Sequence, residues 1–346
     1  MSQRSSTGSL VARAGMSPAT IIVGAGLMGR WHAAAVRHAG GRVAAIVDPD
    51  TARGSTLARR HSGASSFGAL EPALEAIGAG VVHLCSPRES HAPLALTALR
   101  GGCHVLIEKP FAGRHEDALE VLSVAESVGR LASPVHQFLY QPGALHAAAV
   151  VRDLGTLLHL EAEVCSTGAE HGAAGPDEVA LEILPHALSF AARFCSESID
   201  SVPWSHSRSA PGELTVRATV GPTMVSARLS MRGRPPVNGI RLVAERGTIH
   251  LDLFHGFAIV DRSGSSRLMK VARPAYFSAR LALAASGSLA RRVLQRETAY
   301  PGLRELVRRF YAAAATGATS PISPEETRAV SSVWSVLNSR VIADVR

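Results

Sequence analysis

Two patterns of apolar positions divide the chain. Up to about residue 135, short uninterrupted apolar runs alternate with longer stretches whose apolar residues recur every three or four positions. ATIIVG, GRVAAIVD, GAGVVHLCSP and CHVLIEKP are the short runs, each closed by Gly, Asp or Pro. Such runs read as strands buried on both faces, as in a parallel sheet. The alanine-rich stretch after Gly29, SHAPLALTALRGG and AGRHEDALEVLSVAESVGRL read as the intervening helices. Beyond Leu157 the runs become alternating. LLHLEAEVCS, ELTVRATVG, MVSARLSM, IRLVAERGTIHLDL and FAIVD predict an antiparallel sheet, with a hairpin turning at Arg246-Gly247.

Three helices are expected in this second half. EVALEILPHALSFAARF is one, with Pro185 tolerable only near its start, where a missing N–H costs nothing. YPGLRELVRRFYAAAATG is another, ended by glycine. The last opens at Ser323 as N-cap, with Pro324 in the first turn and Glu326 as the reciprocal capping acid. Val330, Val333, Trp334, Leu337 and Val341 make its core stripe. GAEHGAAGPDE is expected to be a flexible loop.

Length and composition narrow the class. The chain has 346 residues, enough for two domains and a substantial core. No apolar run reaches the roughly 20 residues of a membrane-spanning helix, so no integral membrane segment is expected. Residues 1–15 are polar, without an apolar core or a twin-arginine pair. They read as a disordered tail, or as the product of a start codon placed before Met16, and the protein is expected in the cytoplasm. Cys85, Cys103, Cys165 and Cys195 have no paired spacing and read as free thiols in a reducing compartment. No Cys/His spacing matches a metal site, so no metal is expected.

Charge adds one local feature. Lys and Arg number 36 against 28 acids, and the surplus of 8 lies between Arg262 and Arg296, a segment without an acid. It reads as a solvated or oligomer-facing loop, as a cradle for an anionic substrate, or as a patch on anionic lipid. SARLALAASGSLARRVL within it is interrupted by Gly287, which argues against membrane insertion. No nucleic-acid module accompanies the charge.

The chemistry begins at GAGLMG. Gly24, Gly26 and Gly29 form G-x-G-x-x-G between a strand and a helix. The first glycine makes the tight turn, the second admits a pyrophosphate, and the third lets the helix pack on its strand. The helix N-terminus offers free N–H groups to phosphate. Asp48, nineteen residues past Gly29, is placed to accept from a ribose 2′-OH, which favours NAD; Arg53 keeps NADP open. Ser86-Pro87 and Glu108-Lys109-Pro110 close two later strands at the carboxyl edge of the sheet, where ligands of open α/β sheets bind. Lys109 is one of only two lysines in the chain. In a composition that otherwise uses arginine, a compact ammonium at a buried strand end points to a task that arginine does badly. Glu182 and His186 are four residues apart and share a helix face, which suits a base and its orienting carboxylate but equally a surface pair or a capping histidine.

GAGLMGRWH, CSPRESH and EKP together resemble the glucose–fructose oxidoreductase / inositol dehydrogenase (Gfo/Idh/MocA) family, over nearly the whole chain from Met16. The resemblance implies an α/β fold with an N-terminal Rossmann dinucleotide-binding domain at 16–135. It also implies a C-terminal α+β domain with a large, mostly antiparallel sheet for substrate and oligomerisation at 136–322, followed by a C-terminal helix at 323–346. The cofactor-binding set it implies is Gly24, Gly26, Leu27, Met28, Gly29, Asp48, Ser86, Pro87, His91, Glu108 and Lys109. Lys109 would touch the substrate beside the nicotinamide, and His186 would be the acid/base. Three positions depart from the family pattern: Glu182 replaces an aspartate, Arg88 an asparagine, and HQFLYQP lacks an arginine for which Tyr140 or Gln141 would stand in.

The expected activity is NAD(P)-dependent hydride transfer at a hydroxyl or carbonyl carbon of a sugar, cyclitol or sugar-derived, including nucleotide-linked, substrate. The expected assembly is a homo-oligomer, a dimer or tetramer. Two alternatives stand beside it: an NAD-dependent glycoside hydrolase working through transient oxidation with the same residues, and a non-catalytic sensor of NAD and ligand, which the departures at Glu182 and Arg88 keep open.

Overall fold

The computed structural model describes residues 18–167, 175–262, 267–297 and 299–345. The tail at 1–15 and the first part of the loop expected at 168–178 lie outside the described residues.

The apolar runs of the first half become β1 (Ala19–Val23), β2 (Arg42–Val47), β3 (Ser65–Phe67), β4 (Val81–Leu84), β5 (His104–Ile107) and β6 (Ala132–Pro134). All pair in parallel, in the order β3-β2-β1-β4-β5-β6. Helices α1 (Leu27–His38), α2 (Thr51–Ala58), α3 (Leu70–Ile77), α4 (His91–Arg100) and α5 (His115–Ser127) connect them. The order reverses between β1 and β4, which opens a crevice at their carboxyl ends. β4 is buried at all four positions, so its run VVHL carries no alternation.

The second half contributes α6 (Pro142–Val150), β7 (Leu157–Cys165), α7 (Pro176–Phe194), β8 (Ser205–Ala210), β9 (Glu213–Val220) and β10 (Thr223–Ser230). There follow β11 (Val237–Ala244), β12 (Gly247–Asp252), β13 (Phe257–Arg262), α8 (Arg267–Leu294), α9 (Leu303–Thr316) and α10 (Pro324–Val345). Seven strands form one sheet in the order β13-β12-β11-β7-β10-β9-β8, antiparallel throughout except for β7 with β10. Leu160, Ala162, Val164, Val216, Val225, Ala227, Ile240 and Leu242 point to one face and pack toward α7. The other face is charged, with Arg241 on Glu161 at 2.8 Å and Arg228 on Glu163 at 3.3 Å. The parallel sheet followed by a mostly antiparallel one is the architecture expected.

Four local expectations need correction. The hairpin turns at Glu245-Arg246, one residue before the predicted pair. β8 is an edge strand with the polar sequence SHSRSA, which alternation of apolar residues does not reveal. Pro185 lies deep inside α7, because the helix begins at Pro176 within the predicted loop. The carbonyl of Leu181, which loses its helical N–H partner to Pro185, accepts the indole N–H of Trp334 at 2.8 Å. Finally, the acid-free segment is for most of its length one continuous helix, α8, running through Pro274 and Gly287. A single glycine costs a helix only about 1 kcal/mol, too little to break 28 residues.

The last two helices reach back to the first sheet. α9 packs on α1, an approach that Gly41 permits: a Cβ there would lie 2.5 Å from the Tyr311 ring. α10 packs on α7 and also on α5 and β6. Its capping box is reciprocal, Ser323 N–H to Glu326 and Glu326 N–H to Ser323 Oγ, both at 3.1 Å. Val330, Val333, Trp334, Leu337 and Val341 are all buried.

Candidate active site

The glycine turn separates three roles by space. Gly24 sits at φ +97°, and a Cβ there would be 2.5 Å from the Cys85 carbonyl oxygen of the neighbouring strand end. A Cβ on Gly29 would be 1.8 Å from the Gly24 carbonyl oxygen, so α1 lies directly against its strand. Beside Gly26 nothing lies within 4 Å. The position that must admit a ligand is open, and the two that must pack are closed. Gly26 is also the N-cap of α1 and supplies no side-chain acceptor, so Leu27, Met28 and Gly29 bring uncapped N–H groups to that space. Open room above a helix N-terminus is what a dinucleotide's phosphates need, and the residues present fit that group.

Asp48 is 1% exposed and fully engaged. Its Oδ2 accepts from Ala25 N–H at 2.7 Å and its Oδ1 from Asp50 N–H at 2.9 Å. Arg53 closes a fork on the same carboxylate, Nη2 to Oδ1 at 2.8 Å and Nε to Oδ2 at 3.2 Å. Burial pushes the Asp48 pKa up, but Arg53 and the two N–H groups outweigh it and hold it below the usual range. The acid therefore braces the glycine turn, and the half-exposed Arg53 side chain lies over it. A ribose hydroxyl reaches Asp48 only by displacing part of that fork.

The other strand ends are stitched together beside the crevice. The His91 ring spans the carbonyl oxygens of Pro110 and Ser86, at 2.8 and 2.9 Å, and is 1% exposed. It tethers the two loops rather than facing open space. Ser86 Oγ accepts from Ser90 Oγ at 2.7 Å, just past Pro87. The Lys109-Pro110 peptide is cis, and Lys109 is half-buried.

Glu108 ends a buried chain of polar groups. Its Oε2 accepts from Lys109 N–H at 3.1 Å and its Oε1 meets His32 Nε2 at 3.0 Å. His32 Nδ1 meets His83 Nδ1 at 2.9 Å, His83 Nε2 meets Tyr311 Oη at 3.1 Å, and Tyr311 Oη meets Thr20 Oγ1 at 2.7 Å. One direction satisfies every link with both rings neutral: Thr20 donates to Tyr311, Tyr311 to His83, His83 to His32, and His32 to the carboxylate. Burial and the adjacent His32 push His83 well below its ordinary value, in keeping with a neutral ring. Burial raises the Glu108 pKa, but His32 and Lys109 together bring it below the usual range, so it stays a carboxylate. A histidine inside the apolar run VVHL was the one sequence sign of this chain.

The second lobe supplies His186 from α7, 8% exposed, with its Nδ1 buried and unpartnered. Burial first, then the Lys109 ammonium and His136, push its pKa well below the ordinary value. Lys109 and His186, from different sheets and different halves of the chain, are thus close enough for one charge to bear on the other. Glu182 lies one turn before His186 on α7, half-buried, and among the described residues no hydrogen bond joins the two.

His136, not anticipated by motif, stands beside them. Its ring centroid is 6.4 Å from that of His186, its Nδ1 is also unpartnered, and burial followed by Arg193 pushes its pKa down to about 3. The Phe138 ring packs against His186 at 4.5 Å. Tyr300 lies near Glu108, which with burial raises its pKa, and its ring meets Trp31 at 5.5 Å. It adopts φ +50°, which is rare for a bulky side chain and marks a held conformation. Tyr140 and Gln141 face scaffolding. Tyr140 donates to the Pro321 carbonyl beneath Arg193 and Arg309, and Gln141 donates to Leu253 O at 2.8 Å. Arg88 links the lobes, with Nη2 on Glu178 of α7 at 3.1 Å. Among the described residues no His/Cys/Asp/Glu cluster suits a metal, and no helix is long and apolar enough to cross a membrane.

Comparison with known proteins agrees with this geometry. Residues 19–136 match the GFO_IDH_MocA family model, described as an oxidoreductase family with an NAD-binding Rossmann fold. Inositol 2-dehydrogenase of Corynebacterium glutamicum strain R is 32% identical over 111 residues, 32% of this chain and 33% of that protein. The chain thus spans about a third of that relative's length. Inositol 2-dehydrogenase of Rubrobacter xylanophilus is 28% identical over 264 residues, 70% of this chain and 73% of the other. The WlbA dehydrogenase from Bordetella pertussis, solved with NADH and UDP-GlcNAcA, has the same fold, with a TM-score of 0.76 at 15% identity over 95% of this chain and 97% of that one. The strand order, the glycine turn and the family match agree that residues 19–136 are similar to the NAD-binding Rossmann domain of the GFO_IDH_MocA oxidoreductase family.

Proposed function

We propose that the protein is an NAD(P)-dependent oxidoreductase acting on a CH–OH group of a sugar, cyclitol or sugar-derived substrate. The observation that carries this reading is the buried His186 of the second lobe, its Nδ1 unpartnered, with Lys109 at the carboxyl edge of the first sheet near enough for its charge to help lower the imidazole's pKa. Gly24, Gly26, Gly29 and the N–H groups of Leu27 and Met28 would hold the dinucleotide, with Asp48 bracing the turn. Bound there, the nicotinamide supplies the hydride acceptor or donor.

The chain's own residues do the rest. His186 is neutral at ordinary pH, so its imidazole can accept the hydroxyl proton during oxidation and return it during reduction. Lys109 donates to the reacting oxygen and stabilises the negative charge that develops on it. Glu108, fixed by His32, accepts from the Lys109 N–H and thereby positions the lysine. Ser86 and Pro87 border the nicotinamide side, with His91 tethering their loop. Glu182 is assigned to a second substrate hydroxyl rather than to His186. The similarity to inositol 2-dehydrogenases supports a polyol as substrate. Four free thiols suit a reducing cytoplasm.

A panel of cyclitols, sugars and nucleotide sugars, followed by nicotinamide absorbance, tests the proposal. Turnover is expected on at least one member, and Lys109→Arg should lose most of it while still quenching or shifting NADH fluorescence on binding. Retained turnover in that variant removes the role of Lys109. Glycoside cleavage without net NADH identifies the transient-oxidation hydrolase. Tight NAD binding with no nicotinamide change on any substrate leaves only a sensor.

A further inference from the structure

Behind Lys109 five side chains stand in a single file: Glu108, His32, His83, Tyr311 and Thr20. They come from the end of β5 and from α1, β4, α9 and β1, and all are between 0 and 6% exposed. His83 is at the centre, engaged through both ring nitrogens, Nδ1 with His32 at 2.9 Å and Nε2 with Tyr311 at 3.1 Å. Its ring meets both neighbouring rings edge-on, at 5.0 and 5.8 Å between centroids.

The order of donors is imposed from the carboxylate end. An ionised Glu108 only accepts, so His32 turns an Nε2–H toward it and, being neutral, keeps a bare Nδ1. A bare Nδ1 on His32 calls for an Nδ1–H on His83, which leaves His83 Nε2 as the acceptor for the Tyr311 hydroxyl. Tyr311 then accepts from Thr20. The reverse order sets a lone pair of His32 against the carboxylate. Its far end has to close on the Pro18 carbonyl, which lies 3.4 Å from Thr20 Oγ1. Thr20 is 0% exposed, so the file ends inside the protein and not in water. A dead end carries no proton away. What it does is fix orientation.

We propose that His83 and Tyr311 are positioning residues for Glu108 and, through it, for Lys109. His83 fixes the tautomer and ring angle of His32, and His32 holds Glu108 Oε1. Oε2 is thereby turned to the Lys109 N–H. Tyr311 fixes His83 in turn, so α9, from the far end of the chain, helps to set the lysine at the tip of the first sheet. Such distant control matters because displacing a reacting group by about 1 Å costs on the order of a hundredfold in rate. The kinetic part of this inference rests on the proposed role of Lys109; the tautomers and the surroundings of the lysine do not.

The test uses the two nitrogens of His83 separately, in the full chain. In His83→Asn the amide nitrogen takes the place of Nδ1 and still donates to His32. In His83→Gln the amide reaches the Tyr311 end instead, and His32 Nδ1 loses its donor. Each variant keeps one of two bonds, so a merely structural role lowers stability and kcat alike in both. Positioning predicts that His83→Asn retains most of kcat while His83→Gln loses on the order of tenfold or more, with KM for the dinucleotide unchanged. Tyr311→Phe should lower kcat severalfold in the wild-type chain and add nothing in His83→Asn, where its link is already cut. Two readouts need no turnover. Nitrogen NMR of isotope-labelled histidines should show His83, identified by its loss in His83→Asn, protonated on Nδ1 at neutral pH. Isotopic methylation of the two lysines gives a carbon signal for Lys109, told from Lys270 by Lys270→Arg. That signal should shift in His83→Gln and stay in place in His83→Asn. The proposal is overturned if His83 carries its proton on Nε2, if the Lys109 signal ignores both substitutions, or if kcat follows melting temperature across the variants. If the chain turns over no substrate, the proposed activity fails and the two spectra still decide the positioning.

Discussion

The two edges of the proposed site are built on different physical terms. On the cofactor edge, backbone does the work: Gly24 and Gly29 are where they are because no side chain fits, and Asp48 is held by main-chain N–H groups. On the substrate edge, side chains do the work: His136 and His186 are buried imidazoles with free nitrogens, and His186 sits on α7, a helix that depends on α10. Backbone sites tolerate almost no substitution but announce themselves locally. Side-chain sites depend on distant partners and announce very little.

Breaking the cofactor edge should give the largest effect. Gly29→Ala places a Cβ 1.8 Å from a backbone oxygen and should cost roughly 3 kcal/mol or more, read as a lost or strongly lowered melting transition. Gly26→Ala, with nothing within 4 Å, should leave the melting temperature nearly unchanged and weaken NADH binding instead. If both variants destabilise equally, the division between packing and ligand-admitting glycines fails.

On the substrate edge the damage should travel through α10. Trp334→Phe leaves the Leu181 carbonyl without a donor, since Pro185 offers none. It should cost about 1–3 kcal/mol by denaturant unfolding. Turnover should fall further than stability does, because α7 carries His186.

The buried imidazoles also predict a pH dependence. The folded His136 titrates at about 3 against 6.5 when unperturbed, so between those values the unfolded chain binds a proton that the folded one refuses. Stability is therefore complete above the unfolded value and falls as the pH drops below it. His83 and His186 shift in the same direction. Melting temperature should decline as the pH falls from about 6.5 toward about 3, and His136→Gln should flatten that decline.

The smallest effect belongs to Arg53. Removing its exposed fork in Arg53→Ala frees Asp48 for a ribose hydroxyl, and the ratio of NAD to NADP affinity should rise by on the order of a few-fold. A shift toward NADP would mean that Arg53 does not screen the acid.

The sequence was most legible where function needs an unusual backbone. GAGLMG between a strand and a helix permitted a reading of ligand room at Gly26 and close packing at Gly29, and EKP after an apolar run placed Lys109 at the sheet edge. It was least legible where an element is polar or conditional. β8 is an edge strand with no apolar period, and α8 runs on through Pro274 and Gly287. Pro185 sits mid-helix because an indole from 149 positions later in the chain answers the carbonyl it orphans.

By itself, then, the sequence determined the change from a parallel to a mostly antiparallel sheet, the nucleotide turn and the candidate acid/base spacing. Each depends on neighbours within a few residues, through steric exclusion at glycine or the period of apolar side chains. Only the tertiary structure decided that Glu182 stands apart from His186, that His32 and His83 connect Thr20 to Glu108, and that Arg53 lies on Asp48. Those contacts depend on which surfaces the two sheets bring together and which polar atoms burial forces to find partners, and no local pattern encodes that pairing.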